Sequence, residues 1–448
     1  MFNIATNKNT KMNISIPKDS MKHVIAMCLF LAVLIFGRAA NNTMFYVFAV
    51  VCLVVFLFSS VSLCFSLLLF LLPFAKILKI EIEDISFFTF LFFFFVLKMV
   101  VVKKTIQANL LVAVMLFAVY GLSVSGLGEL TTVITMASGM MMLYYLQTAD
   151  VDIESAVIAF ALGIVLSSVL VLLKSFFPIV NAVVVDSIIK FNGEQLAIRF
   201  SGLQGNPNYY TMDITMALSV LIILLYRKTN VVINTVFFAT LSVFGLMSVS
   251  KSFLVCWVLL IIFWFGFAVR RGIGKLMKFL IIVLICGAVI YLYAFDSINT
   301  YVFRFFIAGG GTLADQTTGR TDIWQRYISA IFGDIKIIFF GNGLNTVLEN
   351  MKGTHNTYLE ALFSLGIVGS GLFLFAMKTC ARKMVSRPIM LIPMCILLVR
   401  MVAINMLTYD NLWLYFAVIV CMSRYIEKTD NEAKRKLEQA HPRNTPEM

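Results

Sequence analysis

The side chains able to do chemistry in this chain are mostly cations, amides and one imidazole, gathered in two polar stretches. One runs through Arg199-Phe-Ser-Gly-Leu-Gln-Gly-Asn-Pro-Asn208, the other ends in Thr354-His355-Asn356. Arg199 and Arg320 carry guanidinium forks that match phosphate oxygens in bidentate fashion. Lys251, between Ser250 and Ser252, adds a point cation, for which snorkelling to a membrane surface is the ordinary explanation. His23 and His441 fall in polar tails, so His355 is the histidine placed for acid–base chemistry beside an apolar run. Asn206-Pro207-Asn208-Tyr209-Tyr210 has the grammar of a helix start: an Asn cap, then Pro at the first helical position. Its N–H groups and dipole beside Arg199 would suit an anion, and a simple capped helix explains the same residues. Thr357 and Glu360 have capping-box spacing, which predicts a helix starting just after His355. Gly341-Asn342-Gly343 predicts a turn and no phosphate loop, since no strand precedes it and no Lys-Ser/Thr follows.

What must position these groups is a membrane. The 448 residues are 60% hydrophobic and only 13% charged, too apolar for a soluble core. The fold class predicted is all-α: a polytopic membrane helix bundle of about 12–14 transmembrane helices with two long extracytoplasmic loops. Fourteen spans of bilayer length begin near Val24, Met44, Ser62, Ile85, Asn109, Leu130, Ala156, Tyr209, Val231, Phe253, Leu276, Asn356, Arg387 and Asn411. Between Met44 and Phe74, a short hairpin or one long helix fits nearly as well. The first run, Val24 to Gly37, follows Lys8, Lys11, Lys18 and Lys22 without a small-residue cleavage pattern, and reads as a retained span. The net charge of +13 invites a nucleic-acid reading. Its distribution argues against one, because Lys103-Lys104, Arg227-Lys228, Arg270 to Lys278, Lys378 to Arg387 and Arg424 to Arg443 fall between alternate pairs of spans. On that map residues 1–23 and 425–448 are cytoplasmic tails around a bundle over 24–424, with outer loops near 176–208 and 296–355. The eight cysteines show no paired spacing, so neither a disulfide framework nor a metal site is indicated.

The first outer loop opens at Pro178 and carries Lys190, Glu194 and Arg199. The second contains Gly309-Gly310-Gly311 and then Thr321 to Phe332, where Ile323, Trp324, Tyr327, Ile328, Ile331 and Phe332 share a helical face. That face suits a helix lying in the membrane interface or one packed on the bundle. Asp213 and Arg400 fall inside spans, where a charge marks either function or a structural Asp–Arg pair. A Ser/His/Asp series, carboxylates at recognisable spacing, a dinucleotide fingerprint and an internal repeat are not found in the sequence.

The segment from Arg199 to Tyr210, followed by a span, resembles a motif of the bacterial O-antigen polymerase and ligase superfamily. Gly319-Arg320 to Trp324, Phe340-Gly-Asn-Gly343, and His355-Asn-Thr-Tyr-Leu-Glu-Ala-Leu-Phe-Ser-Leu-Gly-Ile-Val-Gly369 are similar to the signature region of the same superfamily. The motifs cover the second half of the chain and the span pattern covers the whole. The resemblance implies metal-independent glycosyl transfer without a cofactor at the outer face of the bacterial inner membrane, with both termini cytoplasmic. The donor and acceptor would be glycans on undecaprenyl pyrophosphate, with membrane lipids and a chain-length regulator as further partners and no nucleic acid. The Gly-Asn-Pro-Asn-Tyr-Tyr stretch is closer to polymerases; a ligase acting on lipid A–core is the alternative, and a polyisoprenoid-glycan flippase or transporter the rival of another class. His355 would be the general base, with Arg199, Arg320, Lys251, Asn206, Asn208, Tyr210 and Asn356 binding pyrophosphate or glycan. Where many relatives have Ser-Arg, this chain has Ser250-Lys251, which keeps the charge and lacks the fork.

Overall fold

The fold is described from a computed structural model, over residues 18–79, 86–104, 107–184, 187–191, 194–270, 319–349, 351, 353–381 and 384–440, with isolated residues between 274 and 301. The described chain is helical apart from one hairpin. Helices α1 (Lys18–Ala40), α2 (Asn42–Phe58), α3 (Val61–Leu71), α4 (Phe87–Lys103), α5 (Ala108–Ser125), α6 (Leu130–Leu146) and α7 (Ile153–Leu172) form the first half. A short α8 (Pro178–Val183) leads into strands β1 (Ser187–Phe191) and β2 (Glu194–Arg199), then α9 (Pro207–Arg227), α10 (Val231–Met247) and α11 (Lys251–Arg270). The last part holds α12 (Arg320–Gly333), α13 (Ile335–Phe340), α14 (Thr357–Cys380), α15 (Leu391–Met401) and α16 (Asp410–Ala440).

Among the described residues, five helices, within α1, α5, α7, α9 and α14, are long and apolar enough to cross a membrane, and shorter apolar helices lie between and after them. Thirteen of the fourteen expected starts coincide with a helix to within a few residues. The expected span near Leu276 and Gly309-Gly310-Gly311 lie outside the described residues. The ambiguous stretch after Met44 is two helices. Ser60 breaks it by capping α3, its Oγ accepting from the Leu63 N–H at 3.2 Å. Lys98 of α4 donates to the Leu57 carbonyl at 2.8 Å and to that of Ser59, covering carbonyls that the end of α2 leaves unpaired.

Basic residues from four of the five clusters meet at one end of the bundle; the cluster from Arg270 to Lys278 lies largely outside the described residues. Arg227 pairs with Asp430 at 2.6 Å and Arg387 with the same carboxylate at 3.4 Å, while Lys103 donates to the Thr148 carbonyl and Arg424 to that of Leu146. Because α9 ends at this basic end with Arg227, it starts at the opposite end with Asn206-Pro207, and α14 and α16 start there too. The first polar loop is more ordered than a connection: β1 and β2 pair antiparallel, Ser187 opposite Arg199, with an irregularity at Ile189/Lys190.

Two features tie the second polar loop to the bundle. In α12, Tyr327 and Ile331 are buried against Phe363 of α14, while Ile328 and Phe332 remain exposed, so one side packs on the bundle and the other is left outward. The Gly341-Asn342-Gly343 turn then inserts at a kink in α14, where Gly366 has φ 63. Asn342 N–H donates to the Phe363 carbonyl at 2.8 Å and Gly343 N–H to that of Ser364 at 3.0 Å. The kink thus exchanges helical bonds for loop bonds, and Tyr120 Oη donates to the neighbouring Leu365 carbonyl at 2.8 Å. A Cβ on Gly341 would lie 2.4 Å from the Ser364 carbonyl oxygen, so glycine is required there by space as well as by its φ of 77.

Candidate functional site

At the end opposite the basic cluster, the two polar stretches meet. Asn206 caps α9 as expected, its Oδ1 accepting from Asn208 N–H at 2.9 Å, with Pro207 in the first turn. Asn208 then faces the start of α11: Ser250 Oγ donates to its Oδ1 at 3.0 Å and lies 3.2 Å from Ser252 Oγ. Arg199, the last residue of β2, donates through Nε to the Ser248 carbonyl at 3.1 Å. The connecting residue Val249 has φ 48, a left-handed conformation that a β-branched side chain adopts only under strain. Lys251 opens α11 directly behind this turn. Arg199, Asn208 and Lys251 are thereby on adjoining segments.

Arg400, from α15, lies beneath them and is 0% exposed. Its Nη1 donates to Ser252 Oγ at 2.6 Å, and its Nη2 donates to the Asn208 carbonyl and, at 2.8 Å, to Thr211 Oγ1. Arg320, first residue of α12, is within electrostatic reach of this guanidinium. One turn further, Trp324 Nε1 donates to the Thr354 carbonyl at 3.0 Å, which links Arg320's helix to the residue before His355.

The His355 loop is held by an asparagine that its own sequence does not reveal. Asn405 Oδ1 accepts from Thr354 Oγ1 at 2.7 Å and from Asn356 N–H at 2.9 Å, while its carbonyl accepts from Tyr209 Oη at 2.8 Å. Asn405 therefore joins the His355 loop to the start of α9. His355 itself is half-buried with φ 49, in the left-handed region that His visits more readily than most residues. The capping box at Thr357 and Glu360 is corrected. Asn356 is the cap, its Oδ1 accepting from Tyr358 and Leu359 N–H at 3.0 and 3.2 Å. Thr357 Oγ1 instead donates to the Ile404 carbonyl at 2.6 Å, and Glu360 accepts from Leu407 N–H at 3.3 Å, because these distant backbone groups compete successfully for both side chains. Asn356→Ala is expected to lower stability by about 1 kcal/mol, with Asn356→Asp close to the parent, as read by thermal unfolding in detergent.

By sequence and by fold, the chain matches no family model, no curated protein and no solved structure. The site is therefore read from its own geometry. Of the eight residues singled out, Arg199, Arg320, Lys251, Asn206, Asn208, His355 and Asn356 belong to this one end of the bundle. Tyr210 lies beneath it, 1% exposed, with its hydroxyl 2.7 Å from Ser168 Oγ and its ring edge-on to Phe200. That is a packing position without an open face.

Asp213 and Arg400 are not bonded to one another as the Asp–Arg pair considered from sequence would be, although they lie within electrostatic reach. Asp213, also 0% exposed, accepts from Gln204 Nε2 at 3.1 Å, from Asn411 Nδ2 at 3.4 Å and from Tyr415 Oη, while every Arg400 bond goes to a neutral group. Asp213 thus ties the first polar loop to α9 and α16. Lys76 is a cation that the sequence reading passed over. A Cβ on Gly205, whose φ is 65, would meet Lys76 Nζ at 2.6 Å, and that ammonium donates to the Val183 carbonyl at 3.2 Å. Burial, with the charge of Lys79, pulls the Lys76 ammonium below its usual range. Among the described residues, no group of three or more His, Cys, Asp or Glu side chains could hold a metal ion.

Proposed function

We propose that the chain is a bacterial inner-membrane glycosyltransferase that polymerises undecaprenyl-pyrophosphate-linked oligosaccharide repeat units into O-antigen or a related surface polysaccharide. The observation that carries this reading is the meeting of two motifs more than a hundred residues apart in sequence, through Arg400, Asn405 and Trp324, at the end away from the basic cluster. With basic residues retained inside, that end is the outer one and both termini are cytoplasmic. Cations, two amides and an imidazole on one surface suit a leaving group that is already an anion.

In this reading the donor pyrophosphate rests on Arg199, Arg320 and Lys251, with the N–H groups at the start of α9 adding a favourable dipole. An acceptor sugar hydroxyl attacks the donor's anomeric carbon. A C–O bond forms there as the bond to pyrophosphate breaks, the electron pair leaves with undecaprenyl pyrophosphate, and His355 takes the hydroxyl proton. Asn356 and Asn206, both occupied as caps, keep the two loops in place. Membrane lipids surround the donor chain, and a chain-length regulator is the further protein partner of the reading.

The test is to incubate purified protein with undecaprenyl-pyrophosphate-linked repeat units and resolve products by size. A ladder is expected. Transfer only when lipid A–core is added would point instead to a ligase, and no reaction with either acceptor would point to glycan transport through the bundle.

A further inference from the structure

Among the described residues, no anion is bonded to Arg400. The guanidinium is fully buried, its Nε has no partner, and its bonded neighbours Ser252, Asn208 and Thr211 are all neutral. Asp213 lies within electrostatic reach of Arg400, but its oxygens accept from Gln204, Asn411 and Tyr415 and none is bonded to the guanidinium. Cations and positive dipoles outnumber that one acid around it: Arg320 within electrostatic reach, Lys251 adjoining the bonded Ser252, and the N-terminal ends of α9 and α11. A buried charge is ordinarily paired, because desolvation of the lone ion is costly. Here two helix starts, each carrying partial positive charge, converge on a buried cation to which no anion among the described residues is bonded.

We infer that Arg400 is the floor of a diphosphate subsite: it fixes Asn208 and Ser252 in place, and the anion held above it by Lys251 and the starts of α9 and α11 supplies the counter-charge that no described residue bonded to Arg400 provides. This rests on the proposed function for the source of the anion, a lipid-linked diphosphate. Arg400 does not reach the surface, so it acts as a positioning residue and through its field. A purely structural arginine, stapling α15 to α9 and α11, would make the same hydrogen bonds and be indifferent to any added anion.

Binding separates the two. Purified full-length protein in detergent is titrated with undecaprenyl pyrophosphate, with inorganic pyrophosphate, and with undecaprenol as the uncharged control, reading affinity and thermal midpoint. The parent is expected to bind undecaprenyl pyrophosphate far better than undecaprenol, with inorganic pyrophosphate competing. Arg400→Gln should weaken that binding on the order of 30-fold or more, the scale of losing one partner of a buried charge pair, and Arg400→Lys should recover most of it. Thr211→Asp covers the case in which Arg400→Gln fails to fold. It places a carboxylate beside Nη2, below the docking face, and is expected to keep or raise the thermal midpoint while weakening diphosphate binding to a similar degree. Parent-like affinity in folded Arg400→Gln or Thr211→Asp overturns the inference, as does equal binding of undecaprenol and undecaprenyl pyrophosphate by the parent. Altered affinity in these variants without a product ladder from the parent would sink the polymerase reading and leave the subsite standing; a ladder with unaltered affinity would do the reverse.

Discussion

Replacing His355 by alanine is expected to lower polymer formation by about 10²- to 10⁴-fold while leaving affinity for undecaprenyl pyrophosphate nearly unchanged. The separation follows from how the loop is held. Thr354 and Asn356 anchor it to Asn405, and Trp324 holds the Thr354 carbonyl, so known bonds on both sides of His355 remain when the imidazole is removed. Phosphate contacts are assigned to Arg199, Arg320 and Lys251, on other segments. One complication is conformational: at φ 49, alanine carries a left-handed cost of roughly 1–2 kcal/mol that could distort the loop. Asparagine tolerates that conformation, so His355→Asn removes the base without the strain. Both variants should lose turnover alike. If His355→Asn polymerises at the parent rate in the purified assay, the base lies elsewhere.

The spans were legible because a bilayer demands about 20 apolar residues and the chain supplies them repeatedly. The start of α9 was legible for a local reason: Asn206 and Pro207 specify a helix start with neighbours that are adjacent in sequence. The cap of α14 was misread for the complementary reason. Thr357 and Glu360 find their partners at Ile404 and Leu407, more than forty residues away, and nothing in the local sequence announces that competition. Asn405 is hidden in the same way, an amide in the apolar run from Met401 to Leu407, although an amide in such a run is itself a signal worth following. Asp213 and Arg400 could be flagged as charges within spans, but their partners could not be read from spacing, and the simple pairing they invite is not formed. Lys76 gives no local signal, because a cation just after an apolar run is ordinary at the end of a span. Only the close approach of Gly205 reveals where its ammonium goes.

Gly163→Ala is expected to destabilise the protein by up to about 3 kcal/mol, whereas Gly266→Ala, the same chemical change in another apolar helix, is expected to stabilise it by as much as about 1 kcal/mol. The opposite signs come from space. Around Gly266 no atom of the described residues lies within 4 Å of an added Cβ, so the helix-favouring effect of alanine dominates. At Gly163 the added Cβ would sit 2.2 Å from the Phe70 carbonyl oxygen and 3.0 Å from its carbon. Those are backbone atoms of α3, so no rotamer change relieves the clash and α7 must move away from α3. Small residues let apolar helices approach this closely, and Gly163 is such a contact. The displacement would not stay local, because α7 also carries Ser168, whose Oγ meets the Tyr210 hydroxyl, and Tyr210 closes over Gly202 of the first polar loop, where an added Cβ would lie 2.5 Å from its ring. Thermal midpoints of the two alanine variants in one detergent check the signs. The product ladder checks the coupling: Gly163→Ala should shorten or lose it at temperatures where the protein is still folded, and an unchanged midpoint with an intact ladder would mean that the α3–α7 contact does not position Asn208.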